Sequence, residues 1–117
     1  DTYILPPIAN STSLSIGLDL AGDALDIGHP DLAEFSPLTD MLALIGRQAI
    51  ELPVRGNLFV NGDTSITAVV VQHNEDGVED GHEVMFQLDA AKLQDEAFLR
   101  SWVGDVTPTV PLPPITK

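Results

Sequence analysis

Hydrophobic and polar residues alternate without a break from Ser13 to Leu20, near the start of the chain. A period of two residues with one polar face is typical of a half-buried β-strand. Further runs rich in residues that strands prefer lie at 49–54, 57–60, 65–72 and 83–88. A turn sequence at 61–63 separates two of these runs. The pattern therefore predicts about five strands in one small, mostly antiparallel sheet.

Helical spacing first occurs after the proline at position 37. Apolar residues recur there at i, i+3, i+4 and i+7, namely at Leu38, Met41, Leu42 and Ile45. This spacing predicts a short amphipathic helix over 37–45. We expect Ser36 to cap its start and Gly46 to end it, because these residue types favour those positions.

A second helix is predicted over 90–103, with Asp89 as its N-cap and Gly104 at its end. We expect its broad apolar stripe to pack against the sheet; the stripe consists of Leu93, Ala97, Phe98, Leu99, Trp102 and Val103. With two helices on one face of the sheet, the predicted fold class is α+β. A β-sandwich or barrel with one helix is the alternative.

The tetrapeptide Leu-Pro-Pro-Ile stands at 5–8 and again at 112–115, and further prolines lie at 108 and 111. Proline fixes φ and lacks an amide donor, so such segments are expected to be extended rather than part of a helix or a sheet interior. The chain is therefore divided into an N-terminal extended arm over 1–12, one globular core domain over 13–104 and a C-terminal Pro-rich arm over 105–117.

Composition restricts the classes of partner and site. The 117 residues suit one domain, and the absence of cysteine excludes disulfides and thiolate metal sites. The formal charge is −13, from 18 acidic residues against 5 Lys and Arg. A chain of this charge is expected to be repelled by nucleic acid and by anionic lipid. No apolar run reaches the roughly 20 residues of a membrane helix, so we expect a soluble protein of a virion or of the cytoplasm.

The acidic stretch His73-Asn-Glu-Asp-Gly-Val-Glu-Asp-Gly-His-Glu, over 73–83, matches half of a calcium-binding loop. The other half fails, because Gln72 stands at the first ligand position and Glu79 at a position that is normally apolar. His73 and His82 lack a third ligand at the spacing of a transition-metal site. The stretch is therefore interpreted as a solvated hairpin loop, and no metal is predicted.

No motif predicts catalysis. His29, Asp31 and Ser36 are the residue types of a hydrolytic triad, yet no G-x-S-x-G sequence accompanies them. Phosphate-binding glycine loops are also missing from the sequence. We therefore predict a protein that is not an enzyme and has no catalytic residues and no cofactor.

Both ends carry apolar side chains suited to contacting a neighbouring subunit. They are predicted as the partner-binding residues: Tyr3, Ile4, Leu5, Ile8, Val110, Leu112 and Ile115. Under this hypothesis the chain is a structural protein of a homo-oligomer or a larger assembly. A compact acidic core with extended arms is similar in plan to the decoration, or cement, subunits of virus shells, although no specific motif carries this likeness.

Two alternatives stay open at the level of the sequence. The arms can wrap the chain's own core and cover the edges of its sheet. The chain can also be an acidic binding protein that occupies a basic surface, as an immunity protein, a secretion chaperone or a mimic of nucleic acid does.

Overall fold

The computed structural model describes residues 5–74, 80–104 and 107–114. Within these ranges the chain forms four α-helices and seven short strands. The helices are α1 (Pro6–Ile16), α2 (Leu38–Leu42), α3 (Val84–Gln87) and α4 (Asp89–Gly104). The strands are β1 (Asp19–Ala21), β2 (Ala49–Ile50), β3 (Val54–Arg55), β4 (Leu58–Val60), β5 (Thr64–Ile66), β6 (Val69–Val70) and β7 (Thr109–Val110). Turns of 3-10 helix add Pro30–Leu32, Ala43–Ile45 and Gly81–Glu83.

The described strands form three small sheets instead of one. Strands β2, β1 and β6 make a parallel sheet in that order, while β3 with β7 and β4 with β5 make antiparallel pairs. The expectation of a mostly antiparallel sheet of about five strands is therefore wrong. Helices and strands are mixed along the chain, and the largest sheet is parallel.

The N-terminal segment is helical, not an extended arm followed by a long strand. Pro6 and Pro7 occupy the first two positions of α1, where the missing amide hydrogens have no partner within a helix in any case. The serine and threonine hydroxyls that suggested the polar face of a strand instead donate to carbonyls four residues earlier, as Ser13 Oγ does to the Ala9 carbonyl at 3.0 Å. Gly17 ends the helix with φ of 80°.

Strand β1 lies in the middle of the parallel sheet and is buried along its whole length. Leu20 pairs with Ala49 on one side and with Val70 on the other. A strand covered on both faces has no polar side, so the alternating pattern of the sequence did not indicate it. The buried Asp19 carboxylate accepts two hydrogen bonds, one from the Gln48 backbone amide at 3.0 Å and one from Asn57 Nδ2 at 2.7 Å.

The fully buried core is small and centres on Leu20, Leu38 and Leu42. Helix α2 supplies two of these residues, which confirms the helical spacing predicted for this segment. Its start is capped by a distant side chain rather than by Ser36, because Asp26 Oδ2 accepts the Leu38 amide at 2.7 Å. Gly46 ends the helical segment with φ of 70°.

The C-terminal segment over 107–114 folds back on the chain, as in the alternative in which an arm covers its own core. Strand β7 pairs antiparallel with β3, and Val110 stands opposite Val54. Gln94 Nε2 donates to the Pro111 carbonyl at 2.6 Å, and the Thr109 amide donates to Ser101 Oγ at 2.8 Å. Helix α4 and β3 thus hold this segment from two sides.

The hairpin expected around the acidic loop is also wrong, because the run at 83–88 forms α3 instead of a strand. Residues 75–79 of that loop lie outside the described ranges. In contrast, the turn predicted at 61–63 does join β4 to β5, with Asn61 and Gly62 at positive φ. None of the described helices combines the length and hydropathy needed to cross a membrane.

Candidate functional site

The residues predicted to bind a partner fall into three groups. Leu5 and Ile8, at the start of α1, and Leu112, beyond β7, are exposed. Val110 is only 8% exposed, because it lies in the ladder between β7 and β3. Tyr3, Ile4 and Ile115 lie outside the described residues. Val110 therefore packs within its own molecule, while the exposed residues remain accessible to a partner.

A larger apolar surface lies between α3 and α4, and we refer to it as the α3–α4 groove. It is an open depression of about 640 Å³. Its apolar lining consists of Met85 and Phe86 from α3 and Leu99 and Val103 from α4. Phe86 is 71% exposed and Val103 is 92% exposed. Aromatic, methionine and arginine side chains are enriched at protein interfaces, and the groove contains all three kinds.

The way α4 packs explains why these side chains are exposed. The helix lies against β7 with its small and polar residues, and Ala91 and Gln94 are its buried positions. Ser101 Oγ, on the same side, bonds to the backbone of β7. Four residues of the predicted stripe, Leu93, Leu99, Trp102 and Val103, are exposed, while Ala97 and Phe98 are half-buried, so the expected packing of the whole stripe on the sheet is wrong. The sequence signal for the buried positions was a small and a polar residue, at 91 and 94, which a search for large hydrophobic residues misses.

Charges of both signs line the groove. Lys92, Asp95, Glu96 and Arg100 lie along α4 beside the apolar residues. Arg100 forms an ion pair with Glu96 at 2.6 Å, and Lys92 pairs with Asp89 at 2.7 Å. The two bases and two acids in the lining balance, so the groove is close to neutral in a chain of net charge −13.

Among the described residues, the residue types considered for catalysis or metal binding do not assemble into a site. His29, Asp31 and Ser36 are all exposed and lie along one surface segment around the 3-10 turn Pro30–Leu32. In the described ranges, no group of three or more His, Cys, Asp or Glu residues is placed to hold a metal ion. The predictions of no enzyme activity and no cofactor stay predictions.

Comparison of the chain with protein-family models, with curated proteins and with solved structures gives no match. Its function therefore has to be inferred from its own surfaces.

Proposed function

We propose that this protein is a non-enzymatic structural subunit of a multi-copy assembly, and that the α3–α4 groove is where a second copy binds. The observation that carries the proposal is the balance of buried and exposed apolar residues. Among the described residues, seven hydrophobic residues are buried, whereas seventeen large hydrophobic side chains are exposed. Four of the exposed residues, Met85, Phe86, Leu99 and Val103, lie together in the α3–α4 groove, and a contiguous apolar patch is typical of a surface that a partner covers.

The charge pattern favours a second copy over a basic partner. A net charge of −13 makes two copies repel each other over most of their surfaces. At the groove, Lys92 and Arg100 pair with Asp89 and Glu96 of their own copy, so this surface carries little net charge and a second copy meets less repulsion here than elsewhere. An isologous contact brings the same patch of both copies together, which a near-neutral surface permits. A basic partner would instead prefer a uniformly acidic surface.

The likeness to virus decoration subunits depended on extended arms, and the described parts of both ends fold onto the body of the molecule. The proposal is therefore the more general one of a multi-copy structural protein. Leu5, Ile8 and Leu112 are proposed as additional contacts to neighbouring copies, because all three are exposed.

The proposal is tested by the mass of the protein in solution, measured by light scattering. We expect the wild-type chain to have a multiple of 12.5 kDa. Phe86→Glu and Val103→Glu should each shift the mass to that of one copy, since a buried charge without a partner is costly at an interface. Both residues are exposed in the isolated chain, so the folded monomer should tolerate the change.

Leu44→Glu is the matched control, because Leu44 is exposed, lies outside the groove and gains the same charge. It should leave the mass of the wild-type assembly unchanged. A monomeric wild-type chain would contradict the proposal, and so would a groove variant that assembles as the control does. Binding to a basic protein that weakens steeply with salt, without self-assembly, would support the alternative of an acidic binding protein.

A further inference from the structure

A second depression lies at the edge of the parallel sheet where all three strands end. The segments that leave β1, β2 and β6 border it, with Asp23, Glu51 and His73 among the lining residues. In this sheet β2 lies on one side of β1, and β6, which comes later in the chain, lies on the other side. The strand order therefore reverses at β1. Parallel sheets bind ligands in the crevice beyond the carboxyl ends of their strands at such a reversal. We refer to this depression as the strand-end crevice.

The strand-end crevice has the size and lining of a small-molecule site. Its volume is about 690 Å³, within the range of ordinary ligand pockets. Apolar contacts come from Leu25, Leu52 and Leu112, which belong to distant parts of the chain. A bound ligand can therefore contact hydrocarbon side chains on more than one side.

Hydrogen bonds hold the walls of the crevice in place. Gln72 Oε1, just after β6, accepts the Leu25 amide at 2.7 Å and ties two walls together. Gln94 bonds to the His73 side chain and donates to the Pro111 carbonyl at 2.6 Å, which fixes a third wall to α4. A crevice braced in this way requires little ordering when a ligand enters.

The charge of the crevice is negative. Asp23 and Glu51 are its carboxylates, and no Lys or Arg lines it in the described part of the chain. Neither carboxylate has an ion-pair partner among the described residues. Burial lowers the pKa of His73 from its ordinary value of 6.5, against the smaller opposing effect of the hydrogen bond with Gln94, so this imidazole adds no compensating charge at neutral pH.

We propose that the strand-end crevice binds a small organic cation, a primary ammonium group on an apolar body. The ammonium group lies between the Asp23 and Glu51 carboxylates, and the hydrocarbon part packs on the leucine side chains. An anionic ligand would be repelled by the same carboxylates. A bare metal ion lacks a sufficient set of ligands among the described residues. This inference goes beyond the proposed structural role and shares only Leu112 with it.

The test is a titration of the full-length, isotopically labelled chain with hexylamine, followed through its amide resonances by NMR. We expect saturable shifts at Gly22, Glu51 and His73. 1-Hexanol has the same length without the charge, and hexanoate carries the opposite charge. Both should bind at least about five-fold more weakly, because they lose or reverse the contact with the carboxylates.

Asp23→Asn and Glu51→Gln should each weaken hexylamine binding about three- to five-fold. Both residues are exposed, so the variants should fold. Asp63→Asn, an exposed carboxylate in the turn between β4 and β5, is the matched control and should bind as the wild type does.

Three results would overturn the inference: no saturable shift at the crevice, equal binding of hexylamine and 1-hexanol, or equal weakening by Asp63→Asn. The monomeric Phe86→Glu variant should still bind hexylamine. Loss of amine binding and loss of self-assembly can therefore be told apart.

Discussion

His73 is a half-buried imidazole at the end of β6 whose protonation should affect stability. Burial lowers its pKa from 6.5, and the hydrogen bond with Gln94 opposes this shift only in part. The unfolded chain therefore takes up the proton more readily than the folded chain does. The resulting contribution to stability is present above pH 6.5 and is lost as the pH falls from there toward the folded pKa.

We expect His73→Gln to remove this contribution to the pH dependence. The measurement is the free energy of unfolding by urea for both proteins between about pH 7.5 and pH 5, a range that brackets the ordinary histidine pKa. The wild type should lose more stability than the variant on acidification, because only the wild type gains a proton at this position on unfolding. Parallel curves for the two proteins would show that position 73 does not contribute.

The predictions for single residues succeeded where local chemistry decides the outcome. Gly46 and the turn at 61–63 could be predicted from the sequence, because positive φ favours glycine and asparagine. The groove residues Met85 and Phe86 could not, because their exposure depends on which side of α4 packs on β7. Asp23 and Glu51 are brought together only by the parallel pairing of β1 with β2, which no local pattern encodes.

At the scale of elements, α1 shows how a serine-rich helix resembles a strand. Alternating serine and apolar residues have the period of a strand, but the hydroxyls can also donate to the helix's own carbonyls. The decisive signals are Pro6 and Pro7 at the start and Gly17 at the end. The predictions for 37–45 and 90–103 correspond to helical segments in the structure because the spacing of apolar residues was informative there, although Ser36 does not cap α2 and Asp89 lies inside α4.

Gly17 provides a test of this account of α1. Its φ of 80° is unfavourable for any residue with a Cβ, while the atoms nearest to an added methyl group, from Arg47, would be 3.7 Å away. Gly17→Ala should therefore cost about 1 kcal/mol through backbone strain alone. The measurement is thermal or urea unfolding monitored by circular dichroism.

Gly104→Ala is the matched control at the end of α4. Gly104 does not have a positive φ, and no atom lies within 4 Å of an added methyl group. This change should be neutral or stabilise by up to about 1 kcal/mol. If the two substitutions had equal effects, α1 would not end in the conformation described above.

At the scale of the whole molecule, the docked C-terminal segment makes the end of the chain part of the fold. Val110 is buried opposite Val54, whereas Leu112 is 63% exposed two residues later. Val110→Ala should cost about 2 kcal/mol of unfolding free energy, because it removes buried methyl groups from the contact with β3. Leu112→Ala should change it by less than about 0.5 kcal/mol.

Urea unfolding of the two variants measures this difference directly. Equal stabilities would mean that the segment over 107–114 does not pack on β3 in solution. A lower stability of Val110→Ala alone would also mean that deleting this segment destabilises the remaining fold, so a deletion does not test assembly by itself.

The global arrangement could be predicted only in part. Mixed helix and strand were evident from changes in period, but the pairing of strands was not. Strands of two or three residues carry too few positions for a pattern, and the central strand β1 is buried along its whole length, so it has no exposed polar face. Proline density suggested free arms, yet proline is also tolerated in the first turn of a helix and beside an edge strand.

The central place of β1 has a consequence for biosynthesis. Both strands that flank β1 are encoded downstream of it, and β6 is the later of the two. A chain emerging from the ribosome therefore carries β1 with one hydrogen-bonding edge unsatisfied until Val69 and Val70 have been synthesised. Contacts this distant in sequence slow folding, and we expect the high negative charge to keep incomplete chains apart until the sheet closes.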